Sequence, residues 1–514
     1  MRPQWLRNGS LSDGILSDGI MIGRSYSIVC RLHGMCQSNS SDIPKRGHRC
    51  SHIILSMLML GLALPACQTM DLSPPAAPPP LPSAYAGASP GSSKTGARAS
   101  AWWEGFHDQM LSSIVSRAAN SNLTVAQAEQ NLAAARAMAH SALSGYRPEL
   151  GATGIANAAT GPRVNNDFTR RPLQLNLETG WEVALFGQDR QVQKSADLNA
   201  QIASEDLAAA KLAVTAEIAT NYVHLRALQR RRADTAEMIS LLERNSRLAN
   251  VKEQVGLATA SDVELQKSVI DTARSRLVEL ENEIATSVQQ IAALEGTSTP
   301  SADLLKPQPQ PTVQASLLEG RPADLLRSRP DVRRAEFAVA QAGAQVDIAK
   351  SDLYPKLRLS GTIGIGAPIE RSLFGASGGP SLQIPLFDLG RRKDVVAASE
   401  AKFREAGLAY RQAVLVAYEE ASRALREFNA ARQKTALLRS RLKGATMVRN
   451  SAEKLVQEGL EDKSKSIRGA LDILELRASL TDSIEDEARA LIAFYKATGT
   501  AQQGSPLLAP ERRM

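Results

Sequence analysis

The sequence predicts a mixed α/β membrane protein that is mainly helical and is built from one unit used twice. Three observations predict this fold class. The second half repeats the ordered signals of the first, short stretches alternate with period two, and two proline-free regions keep helical character far beyond ordinary globular length. Because a duplicated unit normally packs against its copy around a shared axis, the pattern points to an architecture rather than to an enzyme active site.

The duplication is visible as matched signals at nearly constant offsets. Ala128-Glu129 recurs as Ala335-Glu336, and Gln254-Val255-Gly256-Leu257 recurs as Gln457-Glu458-Gly459-Leu460, offset by 203 positions. Each half is predicted to run as helix, apolar alternating stretch, very long helix, glycine turn and long helix. The predicted segments are a pre-sequence over 1–66 (with 1–34 arising from a start assigned too early), a tether over 67–100, the first repeat over 101–300, a linker over 301–327, the second repeat over 328–499 and a tail over 500–514.

Composition excludes several classes of protein. Aromatic residues make up only 4%, which is low for a compact enzyme with a pocket. The net charge is +8, and residues 1–66 carry seven Lys/Arg against three Asp/Glu. The remaining charge is small, so the sequence does not indicate a nucleic-acid partner.

The distribution of cysteine and histidine argues against disulfides and metal chemistry. No cysteine follows Cys67, so neither a disulfide framework nor a cysteine metal site is predicted in the body of the chain. The histidines beyond it are far apart, so no metal site and no cofactor is predicted. No nucleophile elbow, phosphate loop or dinucleotide motif is present, and an enzyme is not predicted. The residues concerned are Cys30, Cys36, Cys50 and Cys67, and His107, His140 and His224.

The start of the chain has the pattern of a secretory signal that ends at a lipid-attachment site. Basic residues at 45–49 precede an apolar run from Ile53 to Ala66, which is too short to span a membrane stably. The ending Leu64-Pro65-Ala66-Cys67 resembles a bacterial lipobox, which makes Cys67 the lipidated first residue of the mature chain; the alternative is an ordinary buried cysteine. Gln68 then suggests the outer membrane, and the Pro-, Ala-, Gly- and Ser-rich stretch that follows predicts an extended tether.

Two very long helices are predicted over 188–254 and 391–457, each about 100 Å long at 1.5 Å per residue. Helices of this length must pack in a coiled-coil manner. The segment that follows the first long helix supports this, because its apolar residues recur every seven positions. Each half is therefore predicted to form an antiparallel hairpin that turns at Gly256 or Gly459. The seam of the first partner helix is Val263, Ile270, Leu277, Ile284 and Ile291, spaced by seven.

Four short stretches predict strands. Arg171–Trp181 and Lys356–Gly366 alternate strictly, Ser381–Leu386 does so briefly, and Tyr146–Ala156 is weaker, with loops over 158–170 and 367–379. About ten alternating residues is the length of a membrane-spanning β-strand. Four strands cannot close a barrel, and lipid does not tolerate an open edge. Either they form a soluble sheet, or several chains combine, three copies giving twelve strands.

Several short motifs follow one another in an order that is typical of a known protein family. They are Trp102-Trp103 with Phe106 and Asp108, Trp181-Glu182 with Leu185-Phe186-Gly187 and Arg190, Arg329-Pro330-Asp331-Val332, Tyr354-Pro355, and Pro385-Leu386-Phe387-Asp388 with Gly390-Arg391. With the duplication and the lipobox, residues 67–498 resemble the TolC-like outer-membrane efflux family, in the lipoprotein branch that serves resistance-nodulation-division (RND) pumps.

The resemblance implies a homotrimer with a twelve-stranded β-barrel in the outer membrane and an α-helical tube in the periplasm. It implies a passive conduit for small molecules, not an enzyme, fed by a periplasmic adaptor protein and an inner-membrane RND transporter. The only attached group it implies is the lipid (palmitate) on Cys67. Two alternatives remain open: a TolC-like exporter of a type I protein secretion system, and a non-conducting coiled-coil scaffold of the envelope.

The resemblance also implies a gate of charged residues just beyond the hairpin glycines Gly256 and Gly459. Carried over by position, the candidates are Asp262, Asp472, Glu475 and Arg477, with Arg477 compensating the acidic rings of a trimer. For Asp262 the alternative is a helix cap. Because Gly459 precedes Asp472 by more residues than Gly256 precedes Asp262, seven extra residues are expected between Leu460 and Leu471, as a longer second turn.

Overall fold

The computed structural model describes residues 80–82, 101–156, 173–313, 328–367 and 374–499. The predicted lipidation site Cys67, the pre-sequence and the tail lie outside these residues. Two short 3-10 turns are present, Trp102–Phe106 before the first helix and Ser144–Tyr146 before the first strand. The helices and strands are, in chain order, α1 (Gln109–Ser121), α2 (Leu123–Ser141), β1 (Glu149–Ala156), β2 (Leu173–Val183), α3 (Gln188–Gln254), α4 (Ala260–Leu294), α5 (Ala302–Leu305), α6 (Pro330–Ser351), β3 (Lys356–Ala367), β4 (Phe374–Gln383), α7 (Arg391–Gln457) and α8 (Lys463–Ala497).

The hairpin helices of the two halves have identical lengths. The long helices α3 and α7 each span 67 residues, and their partners α4 and α8 each span 35. Both predicted spans of the long helices are confirmed at both ends. Each long helix ends at a left-handed glycine, because Gly256 and Gly459 both have φ of 74° and release the chain into the turn.

The expected longer second turn is wrong. The Asp462 side chain accepts a hydrogen bond from the Ser464 backbone N–H and so starts α8 at Lys463, immediately after the glycine turn. Residues 255–259 and 458–462 thus form turns of equal length. The seven supposed extra residues are ordinary helix, and at an offset of 203 the counterpart of Asp262 is Lys465 rather than Asp472.

Shorter helices lie end to end along the long ones. The N-terminal part of α3 packs on α2 and α6, and its C-terminal part packs on α4 and α8; α6 and α8 also pack on α7. The helices therefore form one layer, the helical curtain, in which α6 and α8 lie between α3 and α7. One free edge of this layer is α7, and the other is formed by α2 and α4. This arrangement brings both glycine turns to the same end of the curtain.

The four strands form one antiparallel sheet in the order β1-β2-β3-β4. The central pair joins the two repeats, with Val183 opposite Leu357 at the end nearest the helices. The predicted position of the fourth strand is wrong: β4 is Phe374–Gln383, so residues 374–379 of the expected loop belong to a strand, whereas Ile384 and Leu386 lie beyond its end. The residues of β4 are mainly small and carry no alternating signal, and their pairing with β3 imposes the strand. Within the sheet of one chain, Pro380 is tolerated because β4 is an edge strand.

The main hydrophobic core lies midway along the helices, where the short helices end. Five of its buried side chains are aromatic, and Trp102 stacks on Tyr495 with ring centroids 5.5 Å apart. Among the described helices, none is long and apolar enough to cross a membrane. The largest apolar side chains of this core are those of Trp102, Phe106, Tyr222, Phe428 and Tyr495, and Phe494 of α8 lies beside them.

Candidate functional site: a two-faced sheet and paired helical tips

One face of the sheet is apolar on all four strands and has no protein cover in the described chain. Strand pairing aligns Leu177 with Ile363 and Leu175 with Ile365, so the predicted alternation continues from strand to strand. An apolar face of membrane-spanning width that no helix covers suits contact with lipid. The exposed members of this face are Leu150, Leu175, Leu177, Trp181, Ile363, Ile365, Phe374 and Leu382.

Aromatic side chains mark the end of the sheet nearest the helices. The Trp181 indole N–H donates to the carbonyl oxygen of Tyr146 at 2.9 Å. Just beyond it, the rings of Phe186 and Tyr354 stack with centroids 4.8 Å apart and remain about half exposed. Rings with one apolar and one hydrogen-bonding side are typical of the interface between lipid and water, which places the interface at this level.

The opposite face of the sheet is polar or small, except for Ile155. Glutamate, asparagine, serine, threonine and glycine alternate with the apolar residues, and the charged members lie mostly near the helices. This face would line the interior of any closed barrel, because the apolar face must point outward. Its charged residues are Glu149, Glu178, Glu182, Lys356 and Arg358.

At the other end of the molecule the two helical hairpins touch through their tips. The Lys252 Nζ of α3 lies 2.5 Å from Asp462 Oδ2 and 3.1 Å from Ser464 Oγ, at the start of α8. The hydrogen bond from Lys252 holds the pKa of Asp462 below its usual range, so the Asp462 carboxylate is ionised at neutral pH. Sequence reasoning missed this contact because its partners are 210 residues apart, although an aspartate before a helix is a visible capping signal.

The gate candidate Asp262 has a structural partner within its own hairpin. Asp262 and Thr259 form a capping box: Asp262 Oδ2 accepts from the Thr259 backbone N–H at 2.9 Å and from its hydroxyl at 2.7 Å. These bonds lower the pKa of Asp262. Asp262 therefore has the helix-capping geometry that was the alternative to gating, and its carboxylate remains ionised above the acidic range.

The other gate candidates lie inside α8 rather than beside the turn. Asp472 and Glu475 are exposed, and neither side chain has a polar partner among the described residues. At 1.5 Å per residue, Asp472 lies about 14 Å from the start of α8. Arg477 pairs instead with α3, at 3.0 Å from Glu237 and 3.9 Å from Asp234. Within one chain, Arg477 therefore contacts α3 rather than Asp472 or Glu475.

A buried carboxylate joins the two hairpins farther from the tips. The Glu485 side chain is 5% exposed and accepts from His224 Nδ1 at 2.8 Å and from Arg231 at 2.7 Å, with Arg489 at 2.8 Å. Burial would raise the pKa of Glu485, but the hydrogen bond from His224 and the charges of Arg489 and Arg231 hold it below its usual range. The sequence offered no signal for this cluster beyond the basic run Arg230-Arg231-Arg232, which does not identify its partners.

Comparison with known proteins places these features in a family. Residues 114–297 and 322–500 match the family described as "Outer membrane efflux protein". Nodulation protein T of Rhizobium leguminosarum bv. viciae is 29% identical over 450 residues, which cover 86% of this chain and 91% of that protein. Outer membrane protein OprJ of Pseudomonas aeruginosa is 24% identical, with 87% and 95% covered.

The solved structures agree on the fold. The outer-membrane channel OprN superposes with a TM-score of 0.71 at 26% identity, covering 82% of this chain and 99% of that chain. The CmeC outer membrane channel of Campylobacter jejuni superposes with a TM-score of 0.70 at 18% identity, covering 82% and 92%, which shows the fold alone. The chain belongs to the outer membrane efflux protein family, as an outer-membrane channel whose helices lie in the periplasm.

Proposed function

We propose that three copies of this chain form one passive conduit, with twelve strands closed into a barrel and the helices closed into a tube. The single observation that carries the proposal is the two-faced sheet. Its apolar face suits lipid, but lipid does not tolerate the two unpaired edges that the sheet of a single chain would expose. Pairing β4 of one copy with β1 of the next removes both edges. Three four-stranded sheets then give twelve strands, an even number within the outer-membrane range.

The helical curtain supports the same closure. Its free edges, α7 on one side and α2 with α4 on the other, differ in sequence, so a ring requires head-to-tail contact between copies. Both edges expose apolar side chains at intervals along their length, which a neighbouring copy would cover. The exposed residues are Leu265, Val269 and Val278 on α4, and Leu408, Leu415, Leu437, Met447 and Val448 on α7.

In this proposal the conduit assembles with two partner proteins. A periplasmic adaptor protein meets the paired tips, and an inner-membrane RND transporter supplies small molecules and energy. Apolar residues project beside both glycine turns, with Leu257 77% exposed and Leu460 70% exposed, and give the adaptor a surface to bury. The chain itself carries out no chemical step. A lipid on Cys67 anchors the protein to the outer membrane, and mass spectrometry of the mature N-terminus tests that attachment.

Single-channel conductance of the detergent-extracted protein in planar bilayers tests the conduit. We expect a small conductance with the tips closed, from particles whose mass matches three chains. A protein verified as a trimer that forms no channel would contradict the proposal and favour the envelope scaffold. A particle of one or two chains would contradict the closed barrel.

Loss of the tip contact is expected to raise the resting conductance. Lys252→Met and Asp462→Asn both remove the ion pair, while asparagine still caps α8. Because both partners are substantially exposed, the effect on the free energy of unfolding is below about 1 kcal/mol, and the conductance changes without loss of fold. Arg274→Met is the matched control, because Arg274 pairs with Glu243 at 2.9 Å within one hairpin.

The same recording separates the gate candidates. Asp472→Ala/Glu475→Ala is expected to raise conductance if these acids form rings that constrict the tube, as the resemblance implies. An effect of the tip variants with none from the double variant would place the constriction at the turns. Equal conductance in all variants and the control would show that neither level limits the current.

A further inference from the structure

We propose that Glu178 makes the barrel exit selective for cations. The proposal rests on the proposed trimer, and it assigns a specificity-determining role to a residue far from the helical tips. Glu178 lies near the middle of β2, opposite Gly151 on β1 and Thr362 on β3. Its side chain is exposed on the polar face, the face that the apolar pattern turns toward the interior.

The other charges of this face lie closer to the helices and balance in number, with Glu149 and Glu182 against Lys356 and Arg358. Glu182 is paired across the strands with Arg358, and Lys356 Nζ lies 4.0 Å from Glu182 and 2.8 Å from Asp352. The Arg358 guanidinium extends over Gly180, within 3.4 Å of the position that a side chain there would occupy. Acidic and basic groups are thus mixed at this end of the sheet.

Glu178 has no such compensation. Within the described residues its carboxylate has neither an ion pair nor a side-chain hydrogen bond. From its level to the loop end of the strands, the described polar face carries no further charge of either sign. The residues there are Gly151, Thr153 and Ile155 on β1, Gln174 and Asn176 on β2, Thr362 and Gly364 on β3, and Gly375 and Ser377 on β4.

Three copies turn this uncompensated carboxylate into a ring of three negative charges at one level. The barrel wall has a low dielectric constant, so the field of the ring is directed into the water of the lumen. The Debye length is about 8 Å at 0.15 M salt and about 30 Å at 0.01 M, so the ring acts across the lumen most strongly in dilute salt. Permeant organic and inorganic cations are favoured there, and anions are disfavoured.

The test is the reversal potential of single channels under a tenfold KCl gradient, with the mean salt concentration varied. We expect potassium to be more permeant than chloride, with a permeability ratio that grows as the salt is diluted. Glu178→Gln should lower the ratio at least about twofold in dilute salt, and Glu178→Lys should shift the preference toward chloride. Glu178→Asp keeps the charge and should keep the preference.

A second readout avoids the influence of the helical tips. Spermine added on the loop side of the bilayer reaches Glu178 without passing the tube, so it should block wild-type current and should need roughly tenfold more for half-block in Glu178→Gln. An Asn176→Asp variant, which adds a second carboxylate two residues farther out, should strengthen both effects. A conducting trimer whose selectivity and spermine block are unchanged in Glu178→Gln would overturn the role of Glu178 while leaving the conduit intact. A verified trimer without channels would overturn the conduit itself.

Discussion

Alanine at Gly296 or Gly499 is expected to prevent the protein from folding stably, whereas alanine at Gly256 or Gly459 is expected to be tolerated. Each of these glycines follows the end of a different hairpin helix, and their φ angles lie between 67° and 74°. The left-handed conformation costs an alanine about 1–2 kcal/mol at each position. The four sites differ in what surrounds them, and that difference decides the outcome.

At the tips a new methyl group meets open space, since nothing lies within 4 Å of a Cβ on Gly256 or Gly459. At the other ends it meets backbone. A Cβ on Gly296 would lie 2.3 Å from the Ser121 carbonyl oxygen, and one on Gly499 would lie 2.8 Å from Arg329 Cα. Relieving such overlap shifts packed backbone and adds about 1–3 kcal/mol or more.

Thermal unfolding of the detergent-extracted protein, followed by circular dichroism, measures the effect. We expect Gly296→Ala and Gly499→Ala to lose about 3–5 kcal/mol or to fail to accumulate, and the tip variants to lose no more than about 2 kcal/mol. Gly256→Asn and Gly459→Asn are controls, because asparagine tolerates the left-handed region. Equal losses at all four positions would mean that close approach at the middle of the molecule does not distinguish them.

The helical part of this fold was predictable because its signals are local and repeated. Proline-free stretches, heptad spacing and the matched glycines locate α3 and α7 to the residue. The same approach failed where local signals compete. Leu471-Asp472 looked like the counterpart of Ser261-Asp262, but Asp462 caps α8 earlier, and the offset of 203 persists through the turn. The duplication was the better guide than the motif.

The strands and the charged contacts show what a single sequence cannot reveal. β4 consists largely of glycine and serine, and only its hydrogen bonds to β3 make it a strand. Lys252 with Asp462 and His224 with Glu485 are brought together by the packing of α3 on α8, across more than 200 residues. Exposed and buried charges look alike in sequence, so the candidates near the glycines were chosen by position rather than by environment.

Replacing Glu485 is expected to destabilise the joint between the two hairpins, with a dependence on pH. Glu485→Gln keeps the size of the side chain but leaves His224, Arg231 and Arg489 around a neutral group. Removing one partner of a buried ion pair costs about 3–5 kcal/mol. Because Arg489 is 43% exposed and His224 is 32% exposed, water replaces part of the interaction, and the lower end of that range is expected. Glu281→Gln, in an exposed pair with Arg232, should cost less than about 1 kcal/mol.

The pH dependence distinguishes lost charge from lost packing. The pKa of Glu485 is lowered in the folded protein, so its contribution is complete above the ordinary carboxyl pKa of about 4.3 and is lost as the pH falls through the lowered value. Asp234 acts in the opposite sense: burial raises its pKa despite the charges of Arg230 and Arg477, so its protonation favours the folded state. The difference in unfolding free energy between wild type and Glu485→Gln should therefore shrink between pH 7 and pH 3. In an Asp234→Asn background the shrinkage should persist, because it belongs to Glu485. A difference that stays constant over this range would assign the loss to packing and contradict the electrostatic joint.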